Sequence, residues 1–192
     1  MAILRNKSVE KFQPGGPGIF TQAGTDGLYG GYTKGMGKIG LLYTPGKLGV
    51  RGEIESDNRD GSYSRANLDV GGFSGPKGGI GNYFSTGTTM GRHGYGYIGK
   101  NKFTGGLGGY GHFGMASLKN DDNSKNVEKA QVGAGIEGRL NFQPRNSNFE
   151  LFGRAKLGAG YYSERFGIAP GKTTDGAFRP EFGVNAGLRY RF

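Results

Sequence analysis

This sequence predicts an all-β fold: an antiparallel up-and-down transmembrane β-barrel of about ten strands, with eight as the alternative count. Three observations carry the prediction. Apolar and polar residues alternate with period two over long stretches, which is the pattern of strands with two different faces. Turn signals and polar loops separate those stretches at short intervals. Of 192 residues, 42 are glycine and only 34% fall in the hydrophobic class. That share is low for a soluble core of this size, but a barrel exposed to lipid needs only every second strand residue to be apolar.

The last fifteen residues show the pattern most cleanly. Phe178, Pro180, Phe182, Val184, Ala186, Leu188, Tyr190 and Phe192 form one set, all apolar. Arg179, Glu181, Gly183, Asn185, Gly187, Arg189 and Arg191 form the other, all charged, polar or glycine. A strand of this length is long for a soluble protein, where ~5–6 residues is usual. It matches a tilted bilayer crossing of ~9–11 residues with some overhang.

Earlier stretches repeat it. Leu28, Gly30 and Tyr32 share a face, as do Ile39, Leu41 and Tyr43. Thr44-Pro45-Gly46-Lys47 is a tight-turn signal. Leu48, Val50, Gly52 and Ile54 oppose Arg51, Glu53 and Glu55, and Ala66, Leu68 and Val70 oppose Arg65, Asn67 and Asp69. The glycine- and tyrosine-rich middle reads as two strands, Ile80 to Thr88 and His93 to Gly99, with a connection near Thr88. Val132 to Phe142 and Phe149 to Tyr161 alternate again. Residues 1–24, basic and then Pro/Gly-rich, read as an extended amino-terminal arm, and 25–192 as the barrel domain. Short turns at Pro45, Pro76, Asn101 and Pro144 are expected to alternate with longer connections at Asn58, Thr88, Asp122 and Gly171.

The carboxy-terminal stretch carries a resemblance. Asn185, Gly187, Tyr190 and Phe192 occupy the four defined positions of the assembly signal of bacterial outer-membrane β-barrels. In size and pattern the chain resembles the small OmpA/OmpX class. That resemblance implies a non-enzymatic barrel in the outer membrane of a Gram-negative bacterium, with the lipid bilayer as its main partner. Its role would be structural, anchoring or adhesive, through outer loops at Leu118–Val127 and Ser163–Gly176 or through the amino-terminal arm. Met1 to Phe20 has no apolar core of the signal-peptide type, so either an export signal has been removed or the chain does not reach a membrane through ordinary export. The alternative is a soluble β-rich structural protein, such as a virion or assembly component.

If the apolar faces look outward, the inward set is Arg51, Glu53, Glu55, Arg65, Asp69, Glu137, Arg139, Glu150, Arg154, Lys156, Glu181, Arg189 and Arg191. Buried charges cost several kcal/mol each unless paired. Both signs occur, so a plug of ion pairs is expected in the lumen, with at most a thin water path. Glu137 and Arg139 are expected to pair with Arg154, Lys156 and Glu150 on the next strand.

Chemistry is sparse. The absence of cysteine removes thiol catalysis and Cys-based metal sites, and no metal or cofactor is expected. Of the two histidines, His93 and His112, the first has Ser85 eight residues before it and raises a rim-located hydrolase, but no paired acidic motif accompanies it. The glycine clusters around Gly94 and Gly105 match no phosphate-binding pattern. Net charge is +10, yet there is no polybasic run, and nucleic acid is not an expected partner.

Overall fold

The computed structural model describes residues 15–58, 60–75, 79–119, 127–166 and 175–192. They form a closed antiparallel barrel of ten strands. The strands are β1 (Gly15–Gly24), β2 (Gly27–Gly35), β3 (Gly37–Thr44), β4 (Lys47–Asp57), β5 (Ser62–Ser74), β6 (Ile80–Ile98), β7 (Asn101–Lys119), β8 (Val127–Gln143), β9 (Phe149–Phe166) and β10 (Asp175–Arg191). Each pairs with its sequence neighbours, and β1 pairs with β10 to close the ring, from Gly18↔Arg191 to Gly24↔Asn185. The start of β1 and the end of β10 therefore lie at one end, which we call the terminal end.

The count agrees with the sequence reading, but two of its parts change. Gly15–Gly24, expected within the arm, is a barrel strand hydrogen-bonded on both sides. Ile19 points outward and Phe20 and Gln22 point inward, an alternation hidden behind the Pro/Gly-rich lead. The connection expected near Thr88 does not exist: β6 runs unbroken for 19 residues. Ser85-Thr86-Gly87-Thr88-Thr89 is polar enough to suggest a loop. Threonine is a strong strand former, however, and the lumen accepts a polar face. Thr89 is 1% exposed and accepts a 3.1 Å hydrogen bond from Arg65.

These changes reassign the ends. The ends at which β3 meets β4, β5 meets β6, β7 meets β8 and β9 meets β10 in sequence lie opposite the terminal end. The turns at 58–61, 99–100 and 144–148 lie at the terminal end. The expected alternation of short and long connections does not hold. The expected loop regions Leu118–Val127 and Ser163–Gly176 fall mostly outside the described residues, as do residues 1–14. At the Pro45 turn, Gly46 takes φ of 78°, a conformation glycine adopts without steric cost.

The strands are staggered. β10 overshoots the β1–β2 turn, so 175–183 have a hydrogen-bonded neighbour only on the β9 side. Pro180, which has no N–H to donate, sits in this one-sided segment, where proline is tolerated.

The side chains are distributed inside out. Among the described residues seven large hydrophobics are buried, whereas thirty-one are exposed. The exposed set includes Leu41, Val50, Ile54, Leu68, Leu107, Ile136, Leu140, Leu151 and Leu157, all on the outward parity of their strands. Outward aromatic pairs bracket this aliphatic band: Phe149–Tyr190 and Tyr190–Phe192 toward the terminal end, Tyr161–Phe178 toward the other.

Inside, tyrosine rings lie flat in grooves left by glycine. A Cβ on Gly158 would stand 2.5 Å from the Tyr110 hydroxyl and 2.3 Å from the Ala134 carbonyl. Outward-facing Gly138 has nothing within 4 Å of the same position. Gly158→Val should therefore overpack the wall and cost ~1–3 kcal/mol, while Gly138→Ala should be nearly neutral. Urea unfolding midpoints of the two variants, measured in the same detergent, would show the difference.

Candidate functional site

The lumen holds the only dense collection of polar chemistry among the described residues, and it is built by strand parity. Outward Leu48, Val50, Ile54, Leu68 and Val70 force Arg51, Glu53, Glu55, Arg65 and Asp69 inward on β4 and β5. On β8 and β9 the same rule turns Glu137, Arg139, Glu150, Arg154 and Lys156 inward. On β10 it turns Glu181, Arg189 and Arg191 inward. Glu53, Arg65, Asp69, Glu137, Arg139, Glu150 and Arg154 are all buried.

Glu53 is the hub. It accepts from Lys38 Nζ at 2.6 Å and from both terminal nitrogens of Arg154 at 3.1 Å, and it lies 3.7 Å from Arg65. Arg65 in turn donates to Glu137. Glu55 accepts from Arg139 at 2.7 Å, from Lys38 at 3.0 Å and from Arg154 at 3.2 Å. Arg139 also reaches Asp57 at 2.5 Å, stacks 3.7 Å from the Tyr63 ring centroid, and donates to His93 Nδ1 at 2.9 Å. Separate pairs join Arg51 to Asp69, bidentate at 2.7 Å, and Glu150 to Arg189 and Arg191 at 3.2 and 2.8 Å.

The expected partners on adjacent strands are not the ones used. Glu137 faces Lys156 and Arg139 faces Arg154 across the β8–β9 ladder, yet none of these pairs bonds. Arg154 on β9 instead crosses to Glu53 on β4, five strands away in either direction around the ring. Lys156 reaches toward Asp26 in the β1–β2 turn at 3.8 Å. The lumen is narrow enough for long side chains to span it, so the partner across the axis competes with the partner alongside.

Lys38 is a member the sequence reading misses. Outward Ile39, Leu41 and Tyr43 place it inward by parity, which was the available signal. The cluster around Glu181 is also new. Its carboxylate accepts from Tyr110 at 3.0 Å, Tyr162 at 2.9 Å and His112 Nε2 at 2.8 Å. These residues come from three strands, and no local spacing reveals their meeting.

His93 and Ser85 do not meet. Ser85 donates to Asp69 at 3.1 Å. Eight residues along the same extended strand separates the two by ~26 Å, with His93 nearer the terminal end.

Each of the four residues read as a carboxy-terminal signal has a contact. Asn185 donates to Asp26 at 2.9 Å, anchoring the β1–β2 turn. Gly187 leaves room for Phe152, whose ring would lie 2.4 Å from an added Cβ. Tyr190 packs between Phe149 and Phe192.

Beyond the ion-paired centre, away from the terminal end, the lumen widens to a cavity of about 840 Å³. Arg51, Glu53, Arg65 and Asp69 form its floor, and Tyr83, Tyr110, His112 and Tyr162 line its walls. Lys47 and Arg179 are exposed at its mouth.

The fold and this interior define a closed barrel with an apolar exterior and a charge-filled lumen. No protein-family model matches the chain, and no curated protein does. Among solved structures it is similar to a major outer membrane protein from Thermus thermophilus, with a TM-score of 0.40 and 13% sequence identity, over 92% of this chain and 99% of that one.

Removing one partner from a buried ion pair leaves an uncompensated charge and typically costs ~3–5 kcal/mol. Glu53→Ala should fall in that range, because it strands Lys38 and Arg154 together. A urea midpoint close to that of the parent would show that water, rather than Glu53, supports these cations.

Proposed function

We propose that this chain is a small outer-membrane β-barrel of a Gram-negative bacterium, with an anchoring or surface-interaction role and no catalysis. The observation that carries this reading is the continuous outward apolar band with aromatic residues toward both edges. A water-soluble monomer rarely exposes apolar patches beyond a few hundred Å², whereas an aromatic-bordered apolar belt is what a bilayer-spanning barrel presents. The closed ladder supports the same reading, since lipid offers no partner to an open sheet edge.

Within that reading, the ion-paired centre favours an anchoring barrel over an open pore. In this respect the chain resembles the OmpA/OmpX class, although its ten strands exceed the eight of that type. With the terminal end periplasmic, the cavity at the opposite end faces the cell exterior, where a partner would be met.

Two measurements test the placement. Folded into detergent, the chain should migrate faster in SDS before boiling than after, with β-rich circular dichroism. Absence of that shift, together with a monodisperse protein in plain buffer, would sink the membrane reading in favour of a soluble assembly component. Ile136→Lys, on the outward face of β8, should cost ~2–4 kcal/mol if the band is buried in lipid. On a surface bathed in water the same change should lie within ~0.5 kcal/mol.

A further inference from the structure

We propose that the cup above the ion-paired centre is a binding site for a small organic anion carrying several negative charges, taken up from the aqueous side. The inference rests on lumenal geometry and holds whichever solvent surrounds the outer wall.

The cavity, about 840 Å³, falls within the ~300–1,000 Å³ typical of small-molecule sites. Three of its four carboxylates are already occupied, and the fourth, Asp26, accepts from Asn185 at 2.9 Å and lies 3.8 Å from Lys156. Asp69 is held by both arms of Arg51 and by Ser85. Glu53 is held by Lys38 and Arg154. Glu181 receives two tyrosine hydroxyls and His112. None of these three offers open acceptors to a cation or a neutral polyol.

The cations are held differently. Lys47 and Arg179 make no ion pair among the described residues, and Lys156 approaches Asp26 only to 3.8 Å. Each rests against a tyrosine instead: Lys47 at 5.9 Å from the Tyr83 centroid, Arg179 at 5.6 Å from Tyr162, and Lys156 at 5.6 Å from Tyr110. A ring face positions a cation without neutralising it, so its N–H groups stay available for charge-assisted bonds to an oxyanion.

The three cations stand on β4, β9 and β10, and β4 lies opposite β9 in the ring. An anion bridging them needs charge at more than one point. The barrel wall separates the cup from the outer apolar band, so the ligand comes from water rather than from a lipid leaflet.

Calorimetric titration of the folded full chain with inositol hexakisphosphate tests this, with citrate as the carboxylate arm and myo-inositol as the neutral arm. Saturable binding of the two anions, weaker at higher salt, and none of myo-inositol is the expected result. Lys47→Gln and Arg179→Gln should each weaken it about tenfold or more, as loss of a charge-assisted contact does. Arg92→Gln, exposed on the outer side of β6, should leave it unchanged. Both mouth side chains are exposed and make no ion pair among the described residues, so an unboiled SDS band like the parent's is expected and shows that folding is intact. Failure of the parent to bind either anion would overturn the proposal. So would binding that survives the Lys47→Gln/Arg179→Gln double substitution, which would place the anion elsewhere on this +10 chain.

Discussion

Glu53 sits where the opposite walls of the barrel would otherwise have no reason to stay in register across the axis. Its carboxylate is buried, with Lys38 from β3, Arg154 from β9 and Arg65 from β5 converging on it. In a narrow lumen, charges this deep are tolerated only when each finds a counter-charge and its hydrogen bonds. The need for satisfaction therefore fixes side-chain rotamers on four strands at once. Glu55 and Asp57 extend the same logic along β4, so that one strand supplies the acids for arginines on β8 and β9. The backbone ladder closes the ring, and this network fills it.

The wall is built to accommodate that filling. Glycine on the inward parity leaves grooves, and tyrosine or phenylalanine rings lie in them. Tyr110 covers Gly158, and Phe152 covers Gly187. The high glycine content, which lowers strand propensity, is thus compensated by packing across the ladder. The same rings then serve the charges: Phe152 is approached by Lys38, Arg154 and Arg189, and Tyr63 carries Arg139. Aromatic residues inside the barrel act as platforms for cations, while those outside gather toward the edges of the aliphatic band.

These two features divide the lumen. The terminal-end half and centre are dense with mutually paired charges. The opposite half is open, and Lys47 and Arg179 at its mouth rest on tyrosines. One sequence therefore yields a plug and a cup in a single tube, and the boundary is the level of Arg51, Glu53, Arg65 and Asp69.

The sequence by itself determined the class and the faces. Period-two alternation decides which side chains look inward, because the strand repeat leaves no freedom once one face is apolar. Residues such as Arg154, Glu137 and Glu181 were legible for that reason, and Lys38 obeyed the same rule. The sequence did not determine that Gly15–Gly24 closes the ring or that β6 passes straight through Thr88. Proline and glycine there, or a threonine run, have equal local claims to loop and strand, and only pairing with β10 or β5 settles them. Nor could it name the ionic partners. Neighbours along a ladder follow from register, but a bond from Arg154 to Glu53 depends on how far the opposite wall stands. That distance is set by strand number and stagger, which exist only once the barrel has closed.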